Sequence, residues 1–409
     1  MVELDSSTLR ELVEADPSTA RVLEALDGHL DGVHLVGGAV RDILLGRVPN
    51  ETDLVVDGDA GAVAAKLAES LGGRVESHGR FGTATVTSDG STVDVAMARA
   101  ETYPAPGSLP EVRPAGILED LRRRDFTVNA IAVALEPGTR GTWAAAESAL
   151  ADLHDSVLRI LYPTSFEDDP TRLWRLARYA GRLGFEAEPA TASAARRAVR
   201  DNALSTVSPG RHGSELVRNA AAGEPEAALE AADRLGLLAA IGATGYDSTA
   251  VSRAAGLLGD ECDVQALRLA SCFSRSGAEA EAAVHRLALP HRLTNCVIES
   301  LAVGELTTAL RSAENPSAVA RLLSGTSAEV VALAGADGAE VPVRSWFDEI
   351  RHIECPIRGD ELIAAGVEQG PLVAVGLEAA MRARLDLGEA DPARALATAL
   401  AAVAAEADQ

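Results

Sequence analysis

Between residues 31 and 135 the hydrophobic period of this chain switches repeatedly between two and 3.6, and beyond residue 165 it keeps to 3.6. That switch limits the possible folds more than any other feature. The runs HLVGG, TDLVV, GRVES, TATVTS, TVDVAMA and TVNAIAVALEP are short and rich in β-branched residues, as strands are. Between them AVRDILLG reads as a helix, and so does DAGAVAAKLAESLGG, which ends on a glycine C-cap. Strands and helices mixed in this way predict an α+β head with a mixed sheet. After residue 165, PTRLWRLARYAGRLGFE, ATASAARRAVRDNA, GSELVRNAAA and EPEAALEAADRLGLLAAI are helical patterns punctuated by Gly and Pro. We divide the chain into a helical extension (1–30), the head (31–140), a helical neck (141–235) and an elongated all-α body and tail (236–409).

Composition narrows the setting. Hydrophobic residues make up 47% of the 409 positions, enough for substantial cores. No long uncharged apolar run is present, and the N-terminus is polar and acidic, so neither a membrane span nor a signal peptide is expected. Cys262, Cys272, Cys296 and Cys355 lie far apart without a CxxC pair, which predicts a reducing, cytoplasmic setting with no disulfide or zinc framework. The net charge of −24 lowers the expectation of a nucleic-acid partner, because such binding relies on Lys and Arg at phosphates. Local fields matter more than the global sum, however, and Arg is dense at 122–124, 172–182 and 196–197.

Three constellations carry chemistry. Gly37-Gly38 stands between a strand and the helix bearing Arg41 and Asp42, where backbone N–H groups and a helix dipole suit a phosphate. Glu51 and Asp53 follow; two residues apart on a strand, their carboxylates share a face and suit Mg²⁺. Asp94 sits within a β-branched run, where an acid needs a partner or a metal, and is a candidate general base. Last, Arg122-Arg123-Arg124-Asp125 with Asn129 offers cations for a triphosphate and an amide for ribose or phosphate. Each also has a plain reading: a surface turn for the glycines and acids, a half-exposed strand for Asp94, a solvated turn for the arginines. His154-Asp155 resembles a phosphohydrolase dyad but has no companion His and Asp, so a surface turn is expected. Trp143, Trp174 and Trp346 are expected in cores, and His291, His352 and the cysteines in structural roles.

Taken in order, Gly37–Asp42, the acid pair, Asp94 with Arg99 and Glu101, and RRDFTVNA resemble the class II tRNA nucleotidyltransferases and bacterial poly(A) polymerases of the DNA polymerase beta-like superfamily. The likeness continues in Ser165–Arg172, in Ser208, Arg211 and Glu215, and more loosely in Pro356–Leu362 with Gly366, Gly370 and Pro371. The resemblance implies an enzyme adding CCA, or part of it, to the 3′ end of tRNA from CTP and ATP, with pyrophosphate released. It implies that Glu51 and Asp53 bind Mg²⁺, that Asp94 is the third carboxylate, and that Arg41, Arg123 and Arg124 face the triphosphate. Gly37, Gly38, Asp125, Asn129, Arg175 and Arg178 are further nucleotide contacts on the same grounds. Asp169 and Arg172 would read the base edge in place of a template, and the body would grip the acceptor end of tRNA. The sequence departs from the family pattern where Glu51 replaces Asp at the first metal position and Asp168 replaces Glu in the selecting motif. A poly(A) polymerase and a catalytically silent RNA-binding paralogue are the alternative readings.

Overall fold

Strands Val33–Val36 (β1), Thr52–Val56 (β2), Arg74–His78 (β3), Thr83–Ser88 (β4) and Ser91–Met97 (β5) appear where the β-rich runs predict them. The computed structural model describes residues 5–78 and 82–407. Two stretches without a strand-like pattern, Arg99–Thr102 (β6) and Glu111–Pro114 (β7), pair as a separate antiparallel hairpin. Of TVNAIAVALEP only Ile131–Ala134 (β8) is a strand, because Thr127–Asn129 forms a 3₁₀ turn. Trp143–Ala145 (β9) closes a seven-stranded sheet of order β3-β4-β5-β2-β1-β8-β9. All its pairings are antiparallel except β2 with β5. A parallel pair needs a crossover; here residues 57–90 supply one, with a helix and the β3–β4 hairpin.

The first helices lie at Ser6–Ala15 (α1), Pro17–Ala25 (α2) and Gly38–Leu44 (α3). Asp5 and Asp16 cap α1 and α2 by accepting from Thr8 N–H and Thr19 N–H. Helix α4 (Ala60–Leu71) is capped by Asp59 and ends on Gly72 in the left-handed region, as its sequence implies. One face of the sheet packs Val36, Val55, Ala130 and Ala132 against Leu121 of α5 (Ile117–Arg122).

In the neck, α6 (Ala149–His154) and α7 (Ser165–Asp168) precede α8 (Thr171–Leu183), whose Leu173, Trp174, Leu176 and Ala177 are buried. Beyond it lie α9 (Pro189–Arg200), α10 (Pro209–Ala220) and α11 (Pro225–Arg234). A Cβ on Gly181 would collide with the backbone nitrogen of Ala228, so only glycine lets α11 approach α8 this closely. Trp174 donates its indole N–H to Nδ1 of His212 at 3.1 Å, and Nε2 of that ring faces the Leu204 carbonyl at 2.9 Å. The imidazole is therefore neutral with its proton on Nε2, and burial lowers its pKa accordingly. The neck is not purely helical: Val157–Leu158 pairs in parallel with Glu186–Ala187.

Chain contacts divide the molecule into Met1–Leu237 and Leu238–Gln409. The second unit is helical among its described residues, with Leu267, Phe273, Val297, Val331 and Val343 buried in its core. At its C-terminal end Ile357, Leu362, Val367, Ala380, Ala395 and Ala399 make a cluster of their own. Glu361 accepts from the Arg358 N–H at 2.7 Å and Pro371 begins the helix Pro371–Leu387, so these motif residues start helices. No helix among the described residues is long and apolar enough to cross a membrane. Trp174 is in the core and Trp346 is half-buried, but Trp143 departs from expectation: it lies on edge strand β9 and is 38% exposed. The cysteines are all free thiols, and His154–Asp155 is an exposed pair.

Candidate active site

A cavity of about 900 Å³ opens between the sheet and α8. One of its walls is acidic. Because β2 and β5 are parallel neighbours with Asp53 opposite Asp94, the two carboxylates stand side by side on one face. Leu54 and Val95, next along each strand, are buried on the other. Glu51 is exposed in a bend one residue before β2, not within the strand as its spacing predicts, yet it lines the same cavity. Burial, with the nearby charges of Glu51 and Asp94, pushes the Asp53 carboxyl up to about 6, against the opposing pull of Arg124 and Arg175. The Thr85 hydroxyl donates to Asp94 Oδ1 at 2.6 Å. Among the described residues no three of His, Cys, Asp and Glu form a group able to hold a metal ion unaided. A pair of carboxylates that shares its cation with substrate phosphates is how Mg²⁺ is usually held, so this donor set fits that ion.

Gly37 joins the two walls. Its φ of 66° favours glycine, and a Cβ there would lie 2.7 Å from Arg124 Nη1 and 3.8 Å from Asp53 Oδ2. Its N–H, expected to face a phosphate, instead donates to the Ile131 carbonyl at 3.1 Å. Gly38 opens α3 and also lines the cavity.

The cationic wall is held by acids that the linear motifs do not advertise. Arg123 and Arg124 share the buried carboxylate of Asp120 at 2.6 and 3.0 Å, and Arg123 also pairs with Glu101 at 2.9 Å. Burial pushes Asp120 up, but the two guanidiniums outweigh it and hold its pKa below the ordinary value. Arg41 is 1% exposed; it is held by Asp42 and by Asn129 Oδ1 and lies over the Tyr179 ring at 5.3 Å. Asn129 spends one amide N–H on Asp125 at 3.0 Å and accepts from Arg41 at Oδ1, so both ends of the side chain have partners within the protein while the residue lines the cavity. Arg175 pairs with Asp125 at 2.6 Å and Arg178 with Glu215 at 2.6 Å, and both also approach the Tyr179 ring.

At the N-terminal end of α8, Asp169 Oδ1 accepts from the Thr171 hydroxyl at 2.7 Å and from Arg211 at 2.8 Å. Arg172 is buried. It donates to the Tyr162 hydroxyl at 2.9 Å, to Ser165 Oγ and to the Arg123 carbonyl at 2.8 Å. Sequence reasoning missed Tyr103, Tyr162 and Tyr179 near these groups, and counted Arg182 only within the arginine-dense stretch 172–182 without a place in the site. Tyr179 and Arg182 were within reach, because 172, 175, 179 and 182 recur on one face of an α-helix.

A row of carboxylates facing a row of guanidiniums suits a polyphosphate carried with a divalent cation. Residues 33–159 match the family model described as Poly A polymerase head domain. Over that stretch the head is similar to the family. The A-adding tRNA nucleotidyltransferase of Halalkalibacterium halodurans is 43% identical over 185 residues, 44% of this chain and 43% of the relative. That of Aquifex aeolicus is 42% identical over 183 residues, 45% of this chain and 22% of the relative. The CC-adding enzyme of Deinococcus radiodurans is 42% identical over 156 residues, 38% and 42% of the two chains. The match thus spans less than half of each of these relatives. Over almost the whole chain the structure resembles an apo CCA-adding enzyme, with a TM-score of 0.79 and 27% identity over 97% of this chain and 98% of that one. It also resembles the Thermotoga maritima CCA-adding enzyme complexed with tRNA, with a TM-score of 0.73 and 25% identity over 97% and 98% of the chains. The matched head thus lies within a fold shared along its length with CCA-adding enzymes.

Proposed function

We propose that this chain is a template-independent nucleotidyltransferase that adds CCA, or part of it, to the 3′ end of tRNA in the cytoplasm, using CTP and ATP. The observation that carries the reading is the pairing of Asp53 and Asp94 beside Glu51, across one cavity from the arginines of α8. The 3′-hydroxyl oxygen attacks the α-phosphorus in line, the bond to the β-phosphate bridging oxygen breaks, and pyrophosphate leaves. Asp94 stands where a base would accept the hydroxyl proton. Arg124 and Arg175 offset negative charge on the triphosphate. Mg²⁺ held by Glu51 and Asp53 would neutralise triphosphate charge and acidify the attacking hydroxyl. Asp169, with Arg172 fixed beside it, presents hydrogen-bonding groups to a base edge. The second unit binds the acceptor end of tRNA, as the likeness to a CCA-adding enzyme in complex with tRNA suggests.

A narrower reading has its own support. A-adding and CC-adding relatives are 41–43% identical to this chain, whereas multifunctional CCA proteins are 35–36% identical. That pattern favours partial addition, of A alone or CC alone. The test supplies tRNA transcripts lacking zero to three terminal nucleotides, with Mg²⁺ and each triphosphate singly and together. Extension that stops at a defined point within CCA supports the proposal and names the subclass. Long A tails would indicate a poly(A) polymerase, and no extension with retained RNA binding a silent paralogue.

A further inference from the structure

The structure assigns to Arg182 a positioning role: through Asp42 it ties the far end of α8 to the Gly37–Gly38 turn and so sets the phosphate-facing wall for every nucleotide alike. This rests on the nucleotidyltransferase reading. Arg182 Nη2 donates to Asp42 Oδ2 at 2.6 Å, and the other oxygen of Asp42 takes Arg41 at 2.8–2.9 Å. One buried carboxylate therefore serves two guanidiniums from different helices. Its two partners differ in exposure. Arg41 is sealed, while Arg182 is 26% exposed and lines the cavity.

The contacts close into a ring. Arg182 holds Asp42, Asp42 holds Arg41, Arg41 holds Asn129, Asn129 holds Asp125, and Asp125 holds Arg175, one helical face back along α8. Tyr179 sits within it, its ring under Arg41 and its hydroxyl accepting from Arg175 at 3.0 Å. Three arginines and two carboxylates leave a surplus of one positive charge beside the cavity. Burying so many ions is unfavourable unless each is paired, and here each is.

Packing already seats α8 along its length, with Gly181 against the Ala228 backbone and Arg178 paired with Glu215. The Arg182–Asp42 pair therefore fixes α3 and its Gly37–Gly38 turn against a helix that is itself held. A shift of about 1 Å in that turn is of the size that costs around a hundredfold in rate. The base-reading groups at Asp169 and Arg172 lie about 15 Å away along α8 and would scarcely move. Loss of Arg182 should therefore weaken use of CTP and ATP by one common factor and leave the choice between them alone.

The experiment measures kcat and KM for CTP and ATP on tRNA acceptors in the full-length wild type, Arg182→Ala, Arg182→Lys, Asp42→Ala and the Arg182→Ala/Asp42→Ala double variant, with thermal melts of each. We expect Arg182→Ala to lower kcat/KM about ten- to a hundredfold for both nucleotides, with their ratio unchanged and the melting temperature nearly so. Arg182→Lys should recover part of the loss, and the double variant should be no worse than Asp42→Ala. Wild-type kinetics in Arg182→Ala, a loss confined to one nucleotide, or losses that multiply in the double variant would overturn the inference. If the wild type extends no acceptor, the functional reading fails by itself. Calorimetric binding of Mg-ATP and Mg-CTP to wild type and Arg182→Ala then decides the positioning role, and equal affinities would reject it.

Discussion

Asp53 and Asp94 are direct cross-strand partners in the one parallel pairing of the main sheet. Burial raises the Asp53 carboxyl to about 6, and the like charges of Glu51 and of Asp94 opposite it add to the cost of holding it ionised. Above pH 6 the folded chain must carry this charge where the unfolded chain carries it freely. Asp53→Asn should therefore raise stability at pH 7.5 without divalent cations, by about 1–3 kcal/mol at one to two pKa units of relief, while reducing extension at least a thousandfold. Urea melts beside the extension assay would check both; an active or destabilised variant would contradict the assignment.

Glu51 lies just outside β2, where its longer side chain has room to reach the cavity from a bend. Glu51→Asp should keep activity within about tenfold of wild type, and Glu51→Gln should lose at least a hundredfold, in the range of lost acid–base or charge stabilisation. Full activity in Glu51→Gln would remove Glu51 from the site.

Gly37→Ala should be costly. The new Cβ meets Arg124 Nη1 at 2.7 Å on a backbone with positive φ, a combination worth roughly 1–3 kcal/mol. Arg124 Nη1 would have to leave the Asn129 carbonyl, so KM for both nucleotides should rise. An unchanged KM and melting temperature would show that the turn has slack.

Asp120, Asp125 and Glu215 all have pKa values held below their ordinary ones, in each case against burial, by the arginines beside them. His212 is likewise lowered, by its own burial. A lowered folded pKa means that the unfolded chain takes up the proton first on acidification. The stability these groups contribute is thus complete above their unfolded values and lost as pH falls: from about 6.5 for His212 and about 4 for the acids. In the Asp53→Asn variant, which removes the opposing titration of Asp53, thermal midpoints by circular dichroism should decline gently below pH 6.5 and steeply below 4.5. A flat profile in that variant as pH falls from 5 to 3 would refute the pairings.

Much of the head was legible because its strands announce themselves. β2 and β5 are β-branched runs interrupted by one acid each, and the acid is the anomaly that marks the site. The hairpin β6–β7 was not legible: RAET and EVRP are short, polar and without alternation, and only their pairing makes them strands. Nor was Asp120. In LEDLRRR an acid reads as helix surface, and its burial under Arg123 and Arg124 is a tertiary fact. The arginine triplet shows the same limit from the other side. Sequence supplies cations in the right place, but how far each is already neutralised depends on Asp120 and Glu101, which arrive from elsewhere.

The indole of Trp174 donates to a neutral imidazole on α10, and it lies on the same helix as Arg172, Arg175 and Arg182. Protonating His212 would set a donor against that donor, and shifting α8 would stretch the same contact. Trp174 is therefore a built-in optical reporter on α8: its emission should register helix displacement on nucleotide binding with no label attached, and Trp143→Phe with Trp346→Phe would leave it as the sole source of the signal.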